Sequence, residues 1–438
     1  MGERVAKWID VAQLRHGLFI QLELGWMDHP FPKGSFKITS DDQIKTILSL
    51  GLSRVRYFPD QSDVVSEVPD GPQHEPVPDT STPQSPAHDE SVALEFSSGQ
   101  DGVRDLRRER LDAQRRSLAL CERRFGEATQ QYRRLTDQVV QRPVQLHDES
   151  RALVGRCVQD LLAEGESAIR LLSEAMGERS AVHPVNVMVI SMLLGKALGL
   201  PPSALADLGM AGLLHDLGKI QMPDRLRSAD PGFSASELQA YQEHVDLSLV
   251  LARRMGASED VLRAMSQHHE LADGSGFPSG LVGANMSDMG KILALVNRYD
   301  NLCNPPRLVN ALTPHEALSL IFAQMKSRFD AVTLGAFVRM MGVYPPGSVV
   351  QLVNDGYAMV VSVNSSRPLK PSVIVFDASV PRDEALIVNL EHAPEMGIRR
   401  SLKPSQLPRA VQDYLSPRQR VAYYFEQMPH HERPGSVA

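Results

Sequence analysis

The sequence predicts a multidomain protein: an all-α helical bundle core, preceded by a small α/β domain and a helical connector, and followed by a small antiparallel β unit. Three observations predict it. Apolar residues recur at helical spacing through the middle of the chain, as in Val185, Met188, Val189, Met192 and Leu193. Prolines 59, 69, 72, 76, 78, 83 and 86 fall among acidic and hydroxyl residues and separate the first segment from the rest. β-Branched runs set in beyond residue 342.

In residues 1–58, "GLFIQLEL" and "SRVRYF" read as strands around a helix, "SDDQIKTILSLG". Ser40 and Gln43 have the spacing of a capping box there, and Gly51 that of a helix end. Residues 59–100 read as a Pro-rich acidic disordered linker, because too little apolar surface is available to offset the entropy of ordering. Residues 101–178 read as a helical connector with Pro143 as its one interruption. Its arginines are interleaved with Asp105, Glu109, Asp112 and Glu122, the pattern of a solvated helix and not of a nucleic-acid surface. Residues 179–341 carry successive helical stripes: 185–193, then Leu205, Leu208, Gly209, Gly212 and Leu213. Ser234 and Glu237 cap a third helix; Val261, Ala264, Met265, His268 and His269 form a fourth stripe, and Ile292, Leu295, Val296 and Tyr299 a fifth. Residues 342–400 contain "VVQLV", "YAMVVSV" and "SVIVF", the first two separated by Asn354-Asp355-Gly356, a hairpin signal. Residues 401–438 read as a polar C-terminal tail.

Composition narrows the function. A net charge of -7 argues against a general DNA binder, which needs a basic face. No apolar run approaches the roughly 20 residues of a membrane span. "MGERVAKWID" lacks a signal-peptide core, and Ala6 stands where a myristoylation site wants Ser or Thr. Cys121, Cys157 and Cys303 are widely spaced and odd in number, which fits a reducing cytoplasm.

Five of the fourteen histidines, His183, His215, His244, His268 and His269, lie on or at the ends of successive predicted helices. His268 and His269 continue an apolar face and should point inward with it. One inward histidine is usually a hydrogen-bonded core residue. Five, with Asp216 beside His215, call for a metal, since neutral imidazoles and a carboxylate are its natural donors. Asp216 can ligate two ions, one on each oxygen. Two ions can hold a hydroxide between them and polarise a phosphoryl oxygen. Lys219, three residues on, could neutralise phosphate charge, or serve only as a helix-end cation.

"HDLGK" (215–219) followed by "HHELADGSGFPSGL" (268–281) resembles the HD-GYP branch of the HD hydrolase superfamily. "LLHDLGKI", "MPD" (222–224), His244, "HHE", "DGSGFP", Gly280, Leu281, Gly283 and "RFD" (328–330) occur in the family's order, over roughly residues 180–340. The resemblance implies an all-helical fold with two divalent metal ions, iron or manganese. It implies a bacterial, cytoplasmic phosphodiesterase that hydrolyses cyclic di-GMP to pGpG or GMP. Residues 1–58 also resemble a small domain often fused ahead of such domains.

Carried over by position, one metal would take His183, His215 and Asp216, and the other Asp216, His244, His268 and His269. Asp216 and Lys219 would be the catalytic residues. Lys219, Arg307, Gly276, Phe277 and Pro278 would contact substrate, and the 274–278 loop could also meet other signalling proteins. Glu270, Asp273, Asn297 and Asp300 are expected as hydrogen-bond partners around the ligands. Three departures stand out. Phe277 replaces the signature tyrosine. Arg179 stands where three-metal members carry a glutamate. "NRYD" (297–300) puts Asn297 at the first position of the family's D-x-x-D pair, at the margin of the His183–His215 metal. "NPPRLVN" (304–310) also departs from the family's arginine-rich substrate-contact segment and keeps only Arg307. Asn297 and this segment motivate, as the alternative, a degenerate domain that binds cyclic di-GMP or a partner protein without efficient turnover; an HD phosphohydrolase for another nucleotide is a third reading. The sequence sets no oligomeric state.

Overall fold

The structure, a computed structural model, describes residues 6–22, 35–50, 52–63, 95–163, 166–173, 179–364, 367–393 and 396–428. It divides into two compact units, Met1–Arg115 and Arg116–Ala438.

The first unit opens with β1 (Lys7–Asp10), β2 (Phe19–Gln21), β3 (Ser35–Lys37), α1 (Asp41–Ser49) and β4 (Arg54–Tyr57). The strands form an antiparallel sheet in the order β1-β4-β2-β3. Ser40 caps α1 by accepting from the Gln43 N–H. The Gln43 side chain turns back to the Thr39 N–H rather than to Ser40, so the box is half formed. Leu18, Ile20, Ile38, Ile47 and Val55 fill the small core. Gly51 and most of the predicted linker lie outside the described residues. The end of that linker is helical: α2 runs from Glu95 to Gln138, so the division at 115/116 falls within it.

In the second unit, α3 (Pro143–Leu162) begins with Pro143 in the first turn, where its missing N–H costs nothing. Then follow β5 (Glu166–Leu171), α4 (Arg179–Ala197), α5 (Pro202–Leu214), α6 (Ala235–Gln242), α7 (His244–Met255), α8 (Glu259–Ser266), α9 (Asp288–Cys303), α10 (Pro314–Gln324) and α11 (Ala331–Met341). Side chains that satisfy exposed backbone N–H groups start many of them. Ser234 and Glu237 form a complete capping box on α6, Ser258 caps α8, and Ser287 caps α9. Asp330 of "RFD" caps α11 through the Thr333 N–H. The stripes face a buried core of Val185, Met188, Leu205, Leu208, Val261, Met265, Ile292 and Tyr299. One stretch of α4, Ser180–Ala197, is long and apolar enough to cross a membrane, contrary to the sequence reading. It is 83% buried, as a bundle's central helix is.

Beyond the bundle come β6 (Val349–Leu352), β7 (Tyr357–Asn364), β8 (Ser372–Val375), β9 (Ile387–Asn389), β10 (Ile398–Leu402), α12 (Arg409–Leu415) and β11 (Tyr423–Met428). Asp355, at φ 62°, turns the chain between β6 and β7, a conformation Asp tolerates. The sheet is antiparallel, in the order β10-β6-β7-β5-β11, with β8 and β9 attached at β7.

Two sequence expectations are corrected here. The 101–178 connector is not wholly helical, because β5 lies within it. The 401–438 tail carries α12 and β11, and β11 pairs along its whole length with β5, Tyr423 opposite Leu171 and Met428 opposite Glu166. The consecutive Tyr423, Tyr424 and Phe425 are all buried, so both faces of β11 are covered, and its pairing partner lies some 250 residues away, which local polarity does not reveal.

Candidate metal centre

Each histidine reaches the centre from a different backbone position. His183 lies in the second turn of α4, His215 is the C-cap of α5, and His244 opens α7. His268 and His269 do not continue the stripe of α8. That helix stops at Ser266, and both lie in the turn beyond it. The inward placement holds for His268, which is 1% exposed, while His269 is half-buried.

Two glycines allow the elements to close on one another. A Cβ at Gly212 would stand 2.8 Å from Met188 Cα, so α4 and α5 meet backbone to backbone one turn before His215. A Cβ at Gly218 would stand 2.4 Å from Ser248 N and 2.5 Å from the His244 carbonyl. The "HDLGK" turn is thereby pressed onto the start of α7, where the Gly218 N–H donates to Ser248 Oγ.

The hydrogen bonds fix the tautomers. Nδ1 of His215, His244 and His268 faces the carbonyls of Gly212, Tyr241 and Met265 at 2.8, 2.6 and 2.6 Å. Carbonyls only accept, so each Nδ1 carries the proton and each Nε2 is bare. His183 Nδ1 faces Asp300 Oδ2 at 2.5 Å with the same result. The bare Nε2 atoms converge, His183 on His215 and His244 on His268 at 3.3 Å each, and His269 Nε2 lies 3.1 Å from that of His244. Lone pairs that close repel unless a cation lies among them.

Asp216 sits between the two sets. Its Oδ2 is 3.6 Å from His183 Nε2 and 3.5 Å from His215 Nε2; its Oδ1 is 3.5 Å from His244 Nε2 and 3.7 Å from His268 Nε2. Lys219 Nζ reaches Oδ2 at 2.5 Å, but the buried Oδ1 has no hydrogen-bond partner. A buried carboxylate oxygen left bare is costly, and a bound cation would satisfy it. The donor atoms form two groups, His183–His215–Asp216 and Asp216–His244–His268–His269, each within 4.8 Å. The residues therefore fit two metal ions that share Asp216.

Electrostatics agree with that donor set. Burial, aided by neighbouring imidazoles, pushes His268 and His269 well below the usual imidazole range. Burial and then the Lys219 charge bring His244 down to about 4. Burial opposes charge on Asp216, yet Lys219 and the His215 and His244 imidazoles together hold its carboxyl well below the usual range. Neutral imidazoles around an ionised carboxylate are the ligand state a divalent ion requires.

The outlying expected residues fall in different places. Asp300 is fully buried. Besides His183 it accepts from Asn186 Nδ2 at 2.8 Å and Asn304 Nδ2 at 2.9 Å. Both asparagines also clasp the chain entering β11: their amides donate to the Val421 carbonyl, and their oxygens accept from the Tyr423 and Val421 N–H groups. Asn297, expected at the margin of the His183–His215 group, is buried one turn before Asp300 on α9. It donates to the His268 carbonyl, and its oxygen accepts from Asn301. Glu270 touches no imidazole ring. It accepts from the N–H groups of Ser279 and Leu281 at 2.7 and 2.8 Å and so braces the 271–281 loop. Asp273 caps that loop through Ser275, whose hydrogen bonds hold its carboxyl below the usual range. Gly276 is needed for close approach, since a Cβ there would meet Leu271 N at 2.4 Å. Phe277, followed by Pro278 across a cis bond, stacks on His269 with ring centroids 4.4 Å apart.

A cleft of about 400 Å³ opens onto His183, Asp216 and Lys219. Tyr132, Arg133, Thr136 and Asp137 of α2 line it, as do Arg227 and Ser228. Arg307 does not; it pairs with Asp230 at 2.8 Å. Gly276, Phe277 and Pro278 are also absent from this lining. The α2 residues were missed in the sequence because Tyr132 and Arg133 are embedded in an ordinary amphipathic helix. Their one signal is a tyrosine, buried in the structure, between two glutamines and two arginines.

Residues 135–332 match the HD domain family, and residues 6–160 match a domain of unknown function, DUF3391. Curated relatives include the cyclic di-GMP phosphodiesterase PA4108 of Pseudomonas aeruginosa, 27% identical over 84% of this chain and 85% of that protein. PdeB of Borreliella burgdorferi, also a cyclic di-GMP phosphodiesterase, is 21% identical over 44% of this chain and 51% of its own length. The response regulator RpfG of Xanthomonas campestris, named likewise, is 29% identical over 34% of this chain and 40% of its own.

Proposed function

We propose that this chain, which carries the HD domain of a metal-dependent hydrolase, is a cyclic di-GMP phosphodiesterase that releases pGpG, GMP or both. The observation that carries the reading is the division of Asp216, one oxygen toward each imidazole group, with Lys219 at its side. His183, His215 and Asp216 would hold one ion, and Asp216, His244, His268 and His269 the other. Bound there, divalent ions would supply Lewis-acid polarisation of a phosphoryl oxygen and acidify the attacking water.

The chain's own residues do the remainder. Hydrolysis forms a bond from water oxygen to phosphorus and breaks the bond from phosphorus to the ribose oxygen, which must gain a proton. Charge accumulates on the non-bridging oxygens as this happens. Lys219 stands at the cleft, partly buried, where a fixed cation stabilises that charge more than bulk water does. His215, His244 and His268 are held by backbone carbonyls, so no reorganisation is needed to present their lone pairs. Asp300 does the same for His183. Asn297 holds the His268 carbonyl and Asn301.

The test is direct. Protein loaded anaerobically with iron or manganese is incubated with cyclic di-GMP, and nucleotides are separated by chromatography. Formation of pGpG or GMP, abolished by chelation, is expected. Binding without product would make the chain a binding module instead.

A further inference from the structure

The α2 wall of the cleft is unused by anything derived so far. Tyr132 is 4% exposed and lines the cleft with Asp216 and His183. Its hydroxyl makes no hydrogen bond to another described residue, and it is not among the side-chain atoms sealed from solvent without a partner. The ring is packed while the hydroxyl, a donor, stays available to something that enters the cleft. Burial and the Asp216 charge raise its pKa well above the ordinary range, which keeps it a donor at neutral pH. Arg133, its neighbour, is exposed, lines the same cleft and forms no ion pair among the described residues. With Lys219 and Arg227, the cleft collects three cationic side chains against two carboxylates, Asp137 and Asp216; Lys219 pairs with Asp216 and Arg227 with Asp224, which leaves the Arg133 charge for something that enters. A site of that charge takes an anion, and hydrogen-bond donors on one wall take its oxygens.

We infer that Tyr132 and Arg133 contact the substrate, holding the half of the cyclic dinucleotide that is not being cleaved. The inference rests on the proposed phosphodiesterase function for its substrate. A cyclic dinucleotide has two phosphates, and when one is beside Asp216 the other must lie elsewhere. Arg133 pairs with that second phosphate, and the Tyr132 hydroxyl donates to a phosphate or ribose oxygen of the same half. Specificity for a two-phosphate ring over a simple phosphodiester then comes from α2, outside the histidine-bearing helices.

The experiment compares the full chain with Arg133→Gln and Tyr132→Phe. Equilibrium binding of cyclic di-GMP is measured on metal-stripped protein. KM and kcat for cyclic di-GMP, and turnover of bis(4-nitrophenyl) phosphate, are measured on loaded protein. Arg133→Gln should weaken binding and raise KM roughly tenfold, and Tyr132→Phe roughly fivefold, with kcat little changed. Metal content and turnover of the simple diester should match the wild type, which a merely structural role would not predict for KM alone. Rescue of KM by Arg133→Lys supports the charge pairing. Wild-type binding and KM in both variants overturn the inference and leave the phosphodiesterase reading intact. Weakened binding in a chain that forms no product sustains the inference and sinks the phosphodiesterase reading. A wild-type chain that neither binds nor cleaves cyclic di-GMP overturns both.

Discussion

Replacing Asp300 by asparagine removes one charge and almost no volume, yet it should reverse the chemistry of His183. As a carboxylate, Asp300 accepts from His183 Nδ1–H at 2.5 Å, from Asn186 and from Asn304. After Asp300→Asn, the new amide can turn its oxygen toward the two asparagine donors. Its NH2 group then faces His183 Nδ1, which must become the acceptor, and the ring proton moves to Nε2. That nitrogen can no longer offer a lone pair between His215 and Asp216. Loss of such a supporting group typically costs about 10- to 100-fold in metal affinity, or about 1.4–2.7 kcal/mol. The loss should be confined to the His183–His215–Asp216 group, because His244 and His268 are oriented by carbonyls of their own. The assay is anaerobic Mn2+ titration with elemental analysis of protein recovered after gel filtration. A two-site isotherm in which one site weakens and the other stays is the expected result. Two unchanged sites would refute the tautomer argument, and equal weakening of both would show that Asp300 acts on the whole fold.

Replacing both His215 and Asp216 by alanine should remove most bound metal and all turnover while circular dichroism stays helical; retained metal content would contradict a shared Asp216. Lys219→Met should leave metal loading intact and lower kcat roughly a hundredfold, about 3 kcal/mol, since a fixed cation is lost where charge develops; an unchanged kcat would reduce Lys219 to a partner of Asp216. Gly218→Ala should destabilise the chain by about 1–3 kcal/mol in urea, because its Cβ would lie 2.4 Å from Ser248 N; a stability equal to wild type would mean the turn can shift at no cost. Metal-stripped protein should lose stability in acid. His244, near 6.5 when unfolded and about 4 when folded, makes the unfolded chain bind more protons between those values. Stability is full above about pH 6.5 and declines toward pH 4, by roughly 2 kcal/mol from this residue between pH 7 and pH 5. Urea unfolding at the two pH values checks it, and higher stability at pH 5 would reverse the sign.

Much of the centre was legible because its chemistry is local. "HDLGK" places an imidazole, a carboxylate, an obligatory glycine and a cation within five positions, and the remaining histidines stand at helix ends where side chains converge. Asp300 was legible as a partner by its place in "NRYD", though which histidine it serves was not. What escaped depends on partners distant in sequence. β5 and β11 pair edge to edge across some 250 residues, and neither has enough alternation alone to stand out from a connector or a tail. Positions 297 and 300 are one turn apart on α9, and only packing decides which histidine each meets: Asp300 the His183 ring, Asn297 the His268 carbonyl. His268 and His269 fit the stripe of α8 by count, but the helix ends at Ser266. The Tyr132 wall follows from how α2 packs, and periodicity carries no trace of it.

The clasp of Asn186 and Asn304 on residues 421–423 also bears on the order in which a newly made chain can mature. The five histidines of the centre, Asp216 and Asp300 emerge from the ribosome more than a hundred residues before Val421. During that interval the two asparagines that steady Asp300 lack the bonds they make to residues 421–423, two from each side chain, and His183 is the imidazole that Asp300 holds. The His244–His268–His269 group depends on no such late arrival. A nascent chain should therefore load its two ions in sequence, with the His183 position filled last, after the final strand has docked. Withholding that strand during synthesis would hold the protein in a state that carries metal but cannot yet turn over.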